Sequence, residues 1–296
     1  MQKNNTVIIS DDRNSSLAKK ISLDLNVDYK NAQLRLFADG ESKIRLENVT
    51  GNNCIIINST YPPTDRHLMQ LFMIIYKCKQ DGASDICVVS PYLAYTRQDK
   101  VFVEGEIVTN DLVGEILATL GTTKLITIDS HNPSAVNNSY ETIDLTAIPS
   151  LANFAKKNFR LNNPIVISPD EGGIQRAKKF AEIINTNMLS LNKTRDRFTG
   201  DISISIGDKQ SVNKRDALIV DDMISTGSSI VKATEILKKN NIANVYVLCT
   251  HALLLDDAKE KILKADIKEL ISTNSIPNEF AKVDLSGVIS DYFSNY

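Results

Sequence analysis

Short runs of aliphatic and β-branched residues alternate along the chain with segments whose apolar residues recur every three or four positions. Thr6 to Ser10 is followed by Leu17, Ala18, Ile21 and Leu25, and Cys54 to Asn58 by Leu68, Leu71, Phe72 and Ile75. The rhythm continues through Ile86 to Ser90, Leu125 to Asp129, Ile165 to Ser168, Leu218 to Val220 and Val245 to Cys249, each closed by a polar turn and a candidate helix. Apolar runs of this length alternating with helix-period segments predict βαβ units, and strands apolar throughout predict helices on both sheet faces. In open parallel sheets ligands collect beyond the carboxyl ends of the strands. Val88-Val89-Ser90-Pro91-Tyr92 echoes Val166-Ile167-Ser168-Pro169-Asp170, and Leu125 to Asp129 echoes Leu218 to Asp221. These echoes predict a diverged duplication with halves at 1–145 and 146–296, joined near Ile148-Pro149-Ser150 without a low-complexity linker.

Composition narrows the function classes. Against 34 Lys and Arg stand 36 Asp and Glu, a net charge of −2, which argues against a chain that wraps duplex nucleic acid. The longest apolar stretches, such as Leu71 to Tyr76, fall far short of the ~18–20 residues that cross a bilayer. The beginning of the sequence lacks the apolar core and cleavage site of a secretory signal, so a cytoplasmic location is expected. Cys54, Cys78, Cys87 and Cys249 include no C-x-x-C pair, and buried, reduced thiols are expected rather than a zinc site.

The segment Leu218 to Ser229 concentrates the chemistry. An apolar strand leads into Asp221 and Asp222, then a turn of Ser225, Thr226, Gly227, Ser228 and Ser229, and then a helix expected to begin near Ile230. Backbone N–H groups at a helix start favour an anion by ~0.3–1 kcal/mol. Two carboxylates cannot help bind phosphate, but as acceptors they suit the vicinal hydroxyls of a ribose. A helix start with serines as caps would explain the turn alone; it leaves two adjacent acids, whose repulsion needs a partner, unexplained.

This acidic pair and turn resemble the ribose phosphate loop of type I phosphoribosyltransferases. Phe37-Ala38-Asp39-Gly40-Glu41, Ser90 to Lys100, Asp129-Ser130-His131 and Ser168 to Gly173 extend the likeness. Together they resemble the ribose-phosphate pyrophosphokinases, also called phosphoribosyl pyrophosphate synthetases, almost end to end. The resemblance implies an α/β fold of two tandem phosphoribosyltransferase-like domains, each a mainly parallel sheet flanked by helices, the first on the ATP side and the second on the ribose 5-phosphate side. It implies a magnesium-dependent enzyme in which the 1-hydroxyl of ribose 5-phosphate attacks the β-phosphorus of ATP.

On that resemblance, Phe37, Asp39, Gly40 and Glu41 hold adenine and reach into a neighbouring subunit, so at least a homodimer is implied. Arg97 and Gln98 hold the nucleotide, with Asp99 and Lys100 read as a mutual pair and Tyr92 and Tyr95 as packing. His131 and Asp170 hold magnesium, the histidine through a water because this ion prefers oxygen. Lys193 and Arg195 are the catalytic cations, with Arg195 also on ribose 5-phosphate, in a basic loop that runs to Gly200 between two strands. Asp221, Asp222 and Ser225 to Ser229 hold the sugar phosphate. His67 and His251 are read as structural. The chain departs from the common bacterial pattern at Ser225, usually an acid, at Gly227-Ser228-Ser229, usually Gly-Gly-Thr, and at Asn132-Pro133-Ser134. A base phosphoribosyltransferase would share the Asp221 loop but leave Arg97-Gln98 unexplained, and a non-catalytic relative would have lost cationic or metal-binding positions that are present here.

Overall fold

The computed structural model describes residues 5–132, 140–195, 202–206 and 212–295. Apolar runs become strands as expected: β1 (Thr6–Ser10), then helix α1 (Ser15–Leu25), β2 (Asp28–Asn31), the hairpin β3 (Gln33–Leu36) and β4 (Ser42–Arg45), β5 (Asn53–Ile57), α2 (Thr64–Gln80), β6 (Asp85–Ser90), α3 (Thr109–Thr119), β7 (Lys124–Ile128) and β8 (Glu141–Leu145). The second series is α4 (Ile148–Asn158), β9 (Ile165–Ser168), α5 (Ile174–Ile184), β10 (Met188–Arg195), β11 (Ile202–Ile206), β12 (Asp216–Ile224), α6 (Ser228–Lys239), β13 (Asn244–Ala252), α7 (Ala258–Lys264), β14 (Glu269–Thr273), β15 (Ala281–Val283) and α8 (Ser286–Ser294).

The chain forms two compact units: Met1–Thr146 with Ser275–Pro277 and Asp284–Tyr296, and Ala147–Asn274 with Asn278–Val283. The last segment, assigned by sequence to the second half, thus belongs to the first. The reason is that α8 packs along α1, where the Ser290 hydroxyl donates to Asp24 at 3.1 Å and Lys20 pairs with Asp284.

The first unit carries a parallel six-stranded sheet in the order β2-β1-β5-β6-β7-β8. The second carries a seven-stranded sheet in the order β11-β10-β9-β12-β13-β14-β15, parallel except for the β10–β11 hairpin. Central strands are buried on both faces, with Ile55, Ile56, Val88 and Leu125 in one unit and Ile165, Ile167, Leu218 and Val247 in the other. Both sheets are flanked by helices, so the α/β class stands. The echoed strands β6 and β7 are neighbours in the first sheet, and their counterparts β9 and β12 are neighbours in the second.

The order of strands reverses at one place in each sheet. In the first, β2 leaves β1 on one side and β5 on the other; in the second, β10 and β12 flank β9. Such switch points open a crevice at the strand carboxyl ends. At the β1/β5 switch a hydrogen-bonded cluster of side chains is found. Asp11, fully buried, accepts from the Asn14 backbone N–H at 3.1 Å, from Asn14 Nδ2 at 2.8 Å and from Asn58 Nδ2 at 3.2 Å, and pairs with Arg13.

Two extents differ from the sequence reading. Strand β12 runs to Ile224 instead of ending at Val220, because β13 continues alongside it to Ala252. Asp221 and Asp222 are therefore strand residues. Strand β10 likewise runs on to Arg195, since Lys193 and Arg195 pair in register with Ile204 and Ile202. Both stand in one arm of a hairpin, as the two flanking apolar runs suggest.

Candidate active site

In the second unit the β9/β12 switch point gathers the acids. Strand β9 pairs with β12 only as far as Ile167 opposite Ile219, so Asp221 and Asp222 extend past the end of β9 while still paired with β13. The Asp222 backbone N–H donates to Asp221 Oδ1 at 2.9 Å. Burial pushes the Asp221 carboxyl well above the usual carboxylate range. The adjacent Asp222 pushes it the same way, and Arg176 opposes them. Across the ladder from Asp221 lies Cys249, whose thiol burial and the two acids keep protonated.

Arg176 is the residue that sequence reasoning missed. It sits in the first turn of α5, with Nη2 3.2 Å from Asp222 Oδ1 and 3.8 Å from Asp221 Oδ1. A signal was present in the sequence: a cation in the first helical turn, where the dipole favours an acid, invites a search for nearby carboxylates.

After Asp222 the strand ends in the turn Ser225–Gly227, and α6 starts at Ser228, two residues before the expected start. Gly227 has φ +73°, and a Cβ there would come within 2.8 Å of Ile262 Cδ1 on α7. Glycine is thus demanded both by the left-handed backbone and by the close approach of α7. No side chain caps α6. The Thr226 and Ser228 hydroxyls meet at 3.3 Å, and Thr226, Ser228 and Ser229 are exposed. Backbone N–H groups at a helix start beside hydroxyls suit an anion.

Asp170 follows β9 and caps the short turn Glu171–Gly173, where its Oδ1 accepts from the Gly173 N–H at 3.1 Å. The Ser168 hydroxyl donates to the Asp170 carbonyl at 2.7 Å. A Cβ on Gly173 would lie 2.5 Å from Ser168 Oγ, so the turn packs against Ser168 only with glycine at this position. The β10–β11 hairpin carries Lys193 and Arg195; residues 196–201 of its basic loop, and the side chains of both cations, lie outside the described residues.

In the first unit Arg97 and Gln98 are exposed on the turn after β6. They line a cavity of about 370 Å³ with Thr64, Tyr92, Tyr95 and Thr96. Tyr92 and Tyr95 also pack on the core, so they serve both the interior and the cavity wall. Gln98 Oε1 accepts from the Thr109 hydroxyl at 2.6 Å, which leaves the amide NH₂ for a ligand. Asp99 does not form the expected pair with Lys100; it accepts from Asn132 Nδ2 at 2.6 Å, a bond that holds its carboxyl below the usual range. The Lys100 ammonium lies over the Phe102 ring instead. His131, next to Asn132, is exposed at the end of β7; Pro133 and Ser134 lie outside the described residues.

Phe37, Asp39, Gly40 and Glu41 form the tip of the β3–β4 hairpin. The Phe37 N–H donates to the Glu41 carbonyl at 2.9 Å, and the Glu41 N–H to Asp39 Oδ1 at 3.0 Å. The Phe37 ring is 43% exposed, with the Arg35 guanidinium 5.8 Å from its centre. His67 is buried edge-on against Tyr61, and burial pushes its ring pKa down, as suits a structural role.

Among the described residues no group of three or more His, Cys, Asp or Glu side chains is placed to hold a metal ion. Magnesium is commonly held by one or two carboxylates together with substrate phosphates and water, so Asp170, with one oxygen committed to its turn and one remaining, fits this ion. No helix among the described residues is long and apolar enough to cross a membrane, and the four cysteines are buried and unpaired by disulfides.

Residues 6–121 match the family model for the N-terminal domain of ribose phosphate pyrophosphokinase, and residues 201–290 that for the phosphoribosyl synthetase-associated domain. A ribose-phosphate pyrophosphokinase of Sulfurisphaera tokodaii is 31% identical over 284 residues, 95% of this chain and 97% of that one. One of Staphylococcus aureus is 34% identical over 289 residues, 94% of this chain and 89% of that one. The crystal structure of phosphoribosylpyrophosphate synthetase from Mycobacterium smegmatis superposes with a TM-score of 0.88 at 24% identity, covering 99% of this chain and 100% of that one, a likeness of fold.

Proposed function

Since the chain belongs to the ribose-phosphate pyrophosphokinase family, we propose that it transfers the β,γ-pyrophosphoryl group of ATP to the 1-hydroxyl of ribose 5-phosphate. The products are 5-phosphoribosyl 1-pyrophosphate and AMP. The observation that carries this reading is the run from β12 into α6: two acids, a hydroxyl turn and an uncapped helix start in succession. The 5-phosphate sits on the N–H groups and hydroxyls of Ser225, Thr226, Gly227, Ser228 and Ser229. Asp221 and Asp222 accept from the 2- and 3-hydroxyls, which fixes the ring and presents its 1-hydroxyl.

On the nucleotide side, the cavity at Arg97 and Gln98 supports a phosphate contact through the guanidinium and an amide contact through the NH₂ that Thr109 leaves available. The Phe37 ring, with Asp39, Gly40 and Glu41 around it, offers a stacking face and acceptors for adenine, contributed to a neighbouring subunit of a homo-oligomer. The attacking oxygen forms its bond to the β-phosphorus as the bond to the α–β bridging oxygen breaks; that oxygen leaves with AMP and the hydroxyl proton passes to solvent. Lys193 and Arg195 stabilise the charge that spreads over the transferring oxygens, a role worth ~10³–10⁵ in rate for one well-placed cation. Mg²⁺, when bound, neutralises the triphosphate; Asp170 would hold it directly and His131 through a water. A cytoplasmic setting agrees with four unpaired thiols.

The test is product analysis. Purified protein given ATP, ribose 5-phosphate and Mg²⁺ should release AMP and a sugar pyrophosphate, and neither without the sugar. Release of ADP would mean simple phosphoryl transfer, and consumption of the sugar pyrophosphate with a nucleobase would mean a base phosphoribosyltransferase; either result rejects the assignment.

A further inference from the structure

Arg176 has no role in the scheme above, and its surroundings assign it one. It occupies the first turn of α5, the end of a helix where the dipole disfavours a cation. Its Nε is buried without a hydrogen-bond partner, itself a cost. A guanidinium placed for fold stability alone would not be expected to accept both penalties. What offsets them is the acid pair: Nη2 is 3.2 Å from Asp222 Oδ1 and 3.8 Å from Asp221 Oδ1, and the two carboxylate side chains are only 7% and 13% exposed, respectively.

The charge balance around the pair points the same way. Asp221 is faced by Asp222 on its own strand, by Asp170 from the turn after β9, by the protonated Cys249 thiol on β13 and by Arg176 on α5. Among these described groups Arg176 carries the positive charge. Without it, two adjacent, largely buried carboxylates would repel one another and turn apart, and the pair of acceptors would be lost.

We propose that Arg176 is a positioning residue for the acid pair: its guanidinium holds Asp221 and Asp222 side by side as two acceptors for the vicinal hydroxyls of a pentose phosphate, without touching the sugar. This rests on the proposed binding of ribose 5-phosphate at those acids. The role makes three demands. Loss of Arg176 must fall on the sugar phosphate and not on ATP. A lysine, which keeps the charge but not the position of Nη2, must recover part of the loss. The loss must also depend on the acids being present, which a double-mutant cycle measures.

The experiment is calorimetry with ribose 5-phosphate, together with KM for each substrate, on the full-length wild type, Arg176→Met, Arg176→Lys, Asp222→Asn and the Arg176→Met/Asp222→Asn double variant. Arg176→Met should weaken ribose 5-phosphate by about 10-fold or more and leave the KM for ATP within about twofold, Arg176→Lys should fall between, and Arg176→Met should cost markedly less when Asp222 is already Asn. Equal losses for both substrates, or strictly additive losses in the cycle, overturn the inference. If Arg176→Met does not fold, the Arg176→Lys arm of the same cycle decides. A wild type that binds no ribose 5-phosphate overturns the proposed function and this inference with it; a wild type that binds it while Arg176→Met binds equally well overturns this inference alone.

Discussion

Asp221 carries a conflict between folding and function that can be measured. Its carboxyl is buried beside Asp222, and burial is the larger of the causes that raise its pKa. An acid whose pKa is higher in the folded than in the unfolded chain binds its proton more tightly when folded. Stability is therefore lost as pH rises from the ordinary carboxylate range, ~4, through the raised value, and the cost is complete above it. Asp221→Asn keeps the shape and removes the titration. Thermal denaturation of the ligand-free variant is expected to show a higher Tm than wild type at neutral pH, each kcal/mol being worth ~2–4 °C at this size, with the gap closing toward pH 4. Calorimetry should show ribose 5-phosphate binding weakened by ~10-fold or more, because a charged acceptor has become a neutral amide. An Asn variant that is no more stable at any pH would mean that Arg176 already offsets the burial cost in full.

One level up, the turn between β12 and α6 shows what a single glycine holds in place. Gly227 and Gly40 both have positive φ, +73° and +91°, but a Cβ on Gly40 meets nothing within 4 Å, whereas one on Gly227 meets Ile262 at 2.8 Å. Gly40→Ala should cost about 1 kcal/mol, the backbone term alone. Gly227→Ala should cost ~2–4 kcal/mol and displace the helix start from the acids, so that denaturant midpoints separate the two variants and only Gly227→Ala loses ribose 5-phosphate binding. Equal destabilisation would refute the close-packing argument. How far such elements could be seen in the sequence follows from burial. Strands β1, β5, β6, β7, β9 and β13 are covered on both faces and announce themselves as apolar runs. Strands β2, with Asp28 and Lys30, and β8, with Glu141 and Asp144, lie at sheet edges, where one unpaired side tolerates polar residues and the signal fades. The acids and hydroxyls after β12 were readable because polar residues at the end of an apolar run stand out. Arg176 left a fainter trace, a cation in the first turn of a helix, and the acids it meets are identified only once the fold brings β12 beside α5.

The two sheets show how a duplicated architecture can be put to different uses. Each reverses strand order once, yet at β1/β5 Asp11, Arg13, Asn14 and Asn58 are tied to one another, while at β9/β12 stand Asp170, Asp221 and Asp222. In the first unit the candidate nucleotide residues lie elsewhere: Arg97 and Gln98 after β6, and Phe37 on a two-stranded hairpin outside the main sheet. An exposed Phe37 beside an exposed Leu36 is an apolar tip that burial against a second copy of the chain would cover, which agrees with the shared site proposed for a homo-oligomer. Subunit mixing tests this. Phe37→Ala and Asp221→Asn should each lose most activity as pure oligomers. If the hairpin of one chain completes the site containing the acids of another, random exchange of equal amounts gives each site an intact hairpin with probability one half and an intact acid pair with probability one half. About one quarter of wild-type activity should then return, whatever the ring size, because each site draws on one neighbour. With an affinity tag on one variant and co-purification of the untagged one to confirm exchange, a mixture that shows no more than the mean of its two parents would mean that hairpin and acids belong to the same chain's site.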